Sequence, residues 1–94
     1  MKQLYSLYDE KTETWSNPFI HASLGDAIRS FTDAINDTNP QSLLVAHPED
    51  FTLFHVGDFN EIDGVVTGIT KKPVGNGIDF KKSEPDLPAV AAAN

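Results

Sequence analysis

Cysteine is absent from this 94-residue chain, which excludes disulfide staples and thiolate metal sites and leaves the redox compartment unspecified. Basic residues are scarce over residues 1–69: Lys2, Lys11 and Arg29 stand against eleven carboxylates, a balance of −8 in a chain of net charge −7. A body of that sign opposes non-specific binding to a phosphate backbone, which draws its free energy from lysine and arginine neutralising phosphates. Long apolar runs are missing as well. None approaches the roughly eighteen residues of a membrane span, and no basic segment followed by an apolar core is visible ahead of Lys2–Tyr8, so neither a membrane span nor a leader peptide is expected. Nucleotide-binding glycine loops, nucleophile motifs and zinc spacings do not occur. Gly57, Gly64, Gly68, Gly75 and Gly77 sit in strand and turn contexts without strand–glycine–helix order. These absences argue against an enzyme and against a bound cofactor. A chain this short buries only roughly 60 to 65% of its unfolded surface, and self-association is the expected further support.

What is present is a β-rich centre. Phe51 to Phe59 and Val65 to Thr70 flank a short acidic turn, Asn60 to Gly64, which reads as a hairpin because Asp-Gly permits the positive φ such loops require. Strand alternation sets Phe51, Leu53, His55 and Phe59 on one face and Thr52, Phe54, Val56 and Asp58 on the other. Both faces are therefore apolar, which predicts cover on one side and at least partial cover on the other. Residues 2–8 form a second clear strand, with Leu4 and Tyr8 on one face and Tyr5 and Leu7 on its opposite. Asp9 to Asn17 reads as a connection, and Pro18 to Ala22 as a short strand. Ser23 is placed as a helix N-cap with Asp26 three residues on, and Leu24, Ala27, Ile28, Phe31, Ala34 and Ile35 follow at helical spacing. The helix is predicted over Leu24–Asn36, with Leu43-Leu44-Val45 left as a short buried run or loop anchor.

The expected fold is α+β: a small, mostly antiparallel sheet of three to four strands with one helix packed on one face. Lys71-Lys72-Pro73 interrupts the strand pattern, so residues 1–70 are read as the compact domain and residues 71–94, with Lys71, Lys72, Lys81 and Lys82, as a partly flexible tail of charge +1.

Two constellations invite chemistry. His47, Glu49, His55 and Asp58 are the tightest set of metal-ligating types. Strand alternation puts His55 and Asp58 on opposite faces and a proline turn separates His47, so no metal is expected there. The aromatics are more informative. Tyr5, Tyr8 and Trp15 are the candidates for stacking on bases, with Arg29, Lys71, Lys72, Lys81 and Lys82 for phosphates. The competing reading makes the phenylalanines core and the tyrosines and tryptophan a subunit interface, and residue chemistry in an acidic body favours that reading over stacking.

Four blocks together carry a family resemblance: Leu-Tyr-Ser-Leu-Tyr-Asp-Glu-Lys at 4–11, Pro-Phe at 18–19, Gly-Asp-Ala-Ile-Arg-Ser-Phe-Thr-Asp-Ala-Ile-Asn-Asp at 25–37 and His-Pro-Glu-Asp-Phe-Thr-Leu-Phe-His-Val-Gly-Asp-Phe at 47–59. In order and spacing they resemble the small nonstructural protein of gokushovirus-type microviruses, phages with circular single-stranded DNA. The resemblance implies a non-enzymatic viral protein in the cytoplasm of the bacterial host, linked to genome replication or packaging, with single-stranded DNA as the expected partner. It transfers no residue roles. A homodimer or larger homo-oligomer would gather the C-terminal lysines of several copies along one path. The alternative is an interaction or assembly factor that binds a viral or host protein and never contacts DNA.

Overall fold

The structure, a computed structural model, describes residues 1–82. Its strands are β1 (Lys2–Asp9), β2 (Thr14–Trp15), β3 (Phe19–His21), β4 (Phe51–Phe59) and β5 (Val66–Asn76). The helices are α1 (Leu24–Ile35), α2 (Leu43–Ala46) and α3 (Gly77–Phe80), with a 3-10 turn at Pro48–Asp50. The strands make one five-stranded sheet in the order β2-β1-β4-β5, and β3 also pairs with β1. Every pairing is antiparallel. The expected α+β class is observed, with one strand more than expected. The extra strand is β2, two residues long and inside the segment read as a connection.

Helix α1 begins where its cap dictates. The Ser23 hydroxyl accepts a hydrogen bond from the Asp26 backbone N–H at 3.1 Å, satisfying one of the free donors of the first turn. Ala27, Phe31 and Ile35 then fall on one side and are buried against Tyr5 and Leu53 of the sheet. Leu7, Phe19, Leu44, Phe51, Val74 and Phe80 pack around that cluster. Leu43-Leu44-Val45 is thus the helical turn α2, and Leu44 anchors it to the core. Asn36 is the C-cap rather than the last helical residue.

The hairpin is longer than expected. Strand β5 runs through Lys71-Lys72-Pro73 to Asn76, pairing Pro73 with Phe54 and Lys72 with His55. Proline is tolerated because β5 is the edge strand, where a missing N–H breaks no ladder on the solvent side. The lysines and proline are accommodated by register shifts between Leu53 and Phe54 and between His55 and Gly57. The expected break after Thr70 therefore falls inside a strand.

The glycine-rich segment after it is tightly placed. Asn76 donates to the Glu49 carbonyl (2.9 Å) and the Thr52 hydroxyl (3.1 Å), while its side-chain oxygen accepts from the Ile78 N–H (3.0 Å). A Cβ on Gly75 would strike the Phe80 ring, and one on Gly77 would collide with the Pro48 carbonyl and lie 2.7 Å from Ile35 Cδ1. Both glycines make room for packing. Asn36 then donates to the Phe80 carbonyl at 3.0 Å and accepts from the Lys82 N–H at 2.9 Å, which ties the segment to the end of α1. Residues 83–94 of the expected tail lie outside the described residues. Gly77→Ala is expected to lower stability by about 1–3 kcal/mol through overpacking against backbone, measured as a shift in urea midpoint. An unchanged midpoint would show that the Pro48 turn gives way freely.

Candidate nucleic-acid interface

The sheet has two unlike faces. Tyr5, Leu7, Leu53 and Val74 point toward α1 and its core. Their strand neighbours point the other way, and there three rings meet. Asp9 starts the arrangement: its carboxylate accepts from the Lys11 N–H (3.0 Å) and the Thr12 N–H (3.4 Å), forming a tight Asx-type turn. Glu13 takes a left-handed φ of 59°, and the chain doubles back so that Trp15 sits opposite Tyr8 in the ladder. The Ser16 hydroxyl fastens the returning arm by accepting from the Leu7 N–H at 2.9 Å.

Trp15 is the centre of the platform. Its ring lies 4.8 Å from Tyr8 and 4.9 Å from Phe54, centroid to centroid, within the range of favourable aromatic pairs. Trp15 remains 42% exposed, and Tyr8 and Phe54 are half-buried. Lys71 reaches over from β5, with Nζ 6.0 Å from the Trp15 ring centroid, a cation–π distance. Val56, Ile69 and Thr70 complete a shallow hollow with Trp15 and Lys71. The face thus combines contiguous aromatic surface with one positive charge, the chemistry that holds unpaired bases and their phosphates.

Of the residues singled out from sequence, Tyr8, Trp15 and Lys71 come together and the others do not. Tyr5 is fully buried on the helix side. Its ring packs 5.2 Å from His55 and 6.4 Å from Phe19, and its hydroxyl donates to Gln3 Oε1. Burial, with the Asp58 charge nearby, pushes that phenol above its ordinary pKa, and no base reaches it. Lys72, one residue beyond Lys71, opens onto the α1 side beside Leu24 and Ile28. Arg29 is exposed on α1. Lys81 donates from Nζ to the Ile35 carbonyl at 3.2 Å, placing its charge at the negative end of the helix. Lys82 is exposed beyond the end of α3, and the five basic candidates form no common groove.

The Phage ORF5 protein family matches the chain over residues 2–80. The chain belongs to the Phage ORF5 family. Protein ORF5 of Chlamydia phage 1 is 32% identical over 62 residues, a match covering 64% of this chain and 65% of that protein's length. Both findings bear out the resemblance to the small nonstructural protein of gokushovirus-type microviruses. No solved structure matches.

Two features of this Phage ORF5 chain were not anticipated from its sequence. The reading that makes the phenylalanines core includes Phe54, yet this ring forms one side of the platform. Its signal was present in the alternation that sets it opposite Leu53, but which face α1 would cover is a tertiary choice. The histidines are also rearranged. His55 Nε2 lies 3.1 Å from Asp58 Oδ1 and 2.9 Å from the Gly57 carbonyl, because the ladder irregularity after His55 breaks the alternation that would separate the pair. His47 instead converges with Glu49 and Asp50, their ligand-type atoms lying within 4.8 Å of one another on the turn before β4. Among the described residues no helix is long and apolar enough to cross a membrane.

Proposed function

We propose that this phage protein is a non-enzymatic accessory factor that binds single-stranded DNA across the Tyr8–Trp15–Phe54 platform, in the cytoplasm of the bacterial host, during genome replication or packaging. The observation that carries this reading is the central position of Trp15, in contact with two rings and a lysine on the sheet face away from the helix. Stacking suits an acidic protein, since base–aromatic contacts contribute about 1–3 kcal/mol per base without requiring net positive charge. The same acidity disfavours coating a duplex, whose bases offer no free faces. Family membership supports a viral role, and a single-stranded genome supplies such a ligand.

The test is fluorescence anisotropy of labelled single- and double-stranded oligonucleotides at low and physiological salt. Single strands are expected to bind in preference to duplex. Because Lys71 is the cation on the platform, log affinity should fall with log salt at a slope of only about −0.7, the release from a single phosphate. Absence of binding at either salt would reject the reading. A salt-insensitive complex with a protein partner would replace it with the interaction-factor alternative, which the exposed Ile62, Val65 and Val66 at the hairpin end favour.

A further inference from the structure

The β4–β5 hairpin ends in an apolar knob that the fold holds rigid and leaves uncovered. Ile62 is 93% exposed, and Val65 and Val66 beside it are also exposed. The turn carrying them is fixed by its own hydrogen bonds. The Asn60 N–H donates to the Val65 carbonyl at 3.0 Å and the Gly64 N–H to the Asn60 carbonyl at 2.7 Å. The Ile62 N–H donates to Asn60 Oδ1 (2.9 Å) and the Val65 N–H to Asp63 Oδ1 (3.0 Å), while Gly64 supplies the required φ of +76°. Carboxylates flank the isoleucine on both sides. Glu61 is held below the usual carboxylate range, first by a hydrogen bond from its own backbone and then by the amino terminus 3.4 Å away. A preorganised, ionised, apolar-tipped turn carries little entropy cost on docking.

A recess of matching chemistry lies elsewhere on the same chain. Between the first turns of α1 and the middle of β5, a groove of about 470 Å3 is walled by Leu24, Ile28, Pro73 and Val74 and floored by Tyr5 and His55. Leu24 is left 48% exposed along it. Lys72 stands on its lining, and the positive end of α1 adds to that charge. Asp58, 3.1 Å from His55 Nε2, and Asp26, 3.8 Å from His21 Nδ1, lie nearby, but Lys72 is the one charged side chain on the groove lining. The knob cannot fill its own groove. Val66 and Lys72 belong to one continuous strand, and six residues of strand separate them by about 20 Å.

We infer that the Glu61-Ile62-Asp63 turn of one copy docks in the α1–β5 groove of a second copy, with Ile62 between Leu24 and Val74 and the flanking carboxylates toward Lys72. The two surfaces differ, so one contact leaves a knob free on one copy and a groove free on the other, and further copies join head to tail. Lys72 and the groove lie on the helix side, away from Trp15, so assembly leaves the platform accessible on every copy. The contact is independent of the DNA-binding reading.

Sedimentation velocity of the full chain over a range of concentrations tests this. The unaltered protein should gain mass steadily as concentration rises. Ile62→Asp changes a side chain that makes almost no contact within its own chain, and Leu24→Glu puts an acid in a helical first turn, where it is tolerated; each variant should remain monomeric. Mixed in equal amounts, they should form a heterodimer and nothing larger, since each supplies the half that the other lacks. A monomeric unaltered protein at all concentrations, assembly of either variant alone, or a mixture that stays monomeric would overturn the assignment. Oligonucleotide anisotropy on Ile62→Asp separates this outcome from the platform reading, because a monomer with intact Trp15 still binds if that reading holds.

Discussion

Phe31→Asp is expected to leave the chain unfolded at room temperature. Phe31 is 4% exposed, flanked on its helix by Ala27 and Ile35 and met edge-on by Phe80 at 5.6 Å. Removing a buried phenylalanine costs about 3–5 kcal/mol in lost burial and residual cavity. The aspartate adds an unpaired charge where no donor is available, a cost of several kcal/mol more unless it takes up a proton. A domain of this length has only about 5–10 kcal/mol to lose. Phe31→Leu, which stays apolar but gives up ring volume and the edge-on contact with Phe80, should cost only about 1–2 kcal/mol. Far-UV circular dichroism with urea melts distinguishes them: a cooperative melt for Phe31→Asp close to the unaltered protein's would place α1 off the sheet. The loss reaches beyond the helix, because Phe80 sits against Phe31 and the whole α3 crossing is tied to Asn36.

The parts of this fold that were legible in the sequence are those specified by neighbouring residues. Ser23, Asp26 and the apolar spacing of Ala27, Phe31 and Ile35 fix α1 without reference to the sheet. The Asp63-Gly64 turn and alternation on either side fix the β4–β5 hairpin. Alternation also divided Tyr5 from Tyr8 correctly. It could not say which of them the helix would cover, and so Tyr5 looked as free for stacking as Tyr8. The end of β5 escapes the local pattern for a related reason. Lysine pairs, proline and glycines weaken a strand on their own, but here the strand is an edge, its irregular register takes up Pro73, and Gly75 and Gly77 are open positions filled by Phe80 and Pro48. Such complementarity is between segments distant in sequence and leaves no local trace. Lys71 and Lys72 illustrate the functional cost: both are phosphate candidates by residue type, whereas strand geometry sends one to Trp15 and the other to the helix side.

Trp15→Ala is expected to weaken single-strand binding about 5- to 150-fold while leaving the fold nearly intact. Loss of one stacking ring is worth about 1–3 kcal/mol, and Trp15 holds the platform together: without it Tyr8 and Phe54 lose their shared neighbour and Lys71 loses the ring it covers. The effect on stability should be small by comparison, because Trp15 lies 42% exposed on a two-residue strand outside the buried cluster. Trp15→Phe should recover most of the affinity, since stacking requires an aromatic face rather than the indole N–H. Lys71→Ala should behave differently, lowering affinity modestly and flattening the salt dependence toward zero, because it removes the phosphate contact and keeps the rings. Unaltered affinity in Trp15→Ala, with its melting curve unchanged, would mean that the platform is not where DNA binds. A loss matched in Trp15→Phe would point to the indole hydrogen bond instead of stacking. The prediction thus reads the chemistry of the face as well as its location, and it rests on how Asp9 and Glu13 turn the chain back to lay one tryptophan across the sheet.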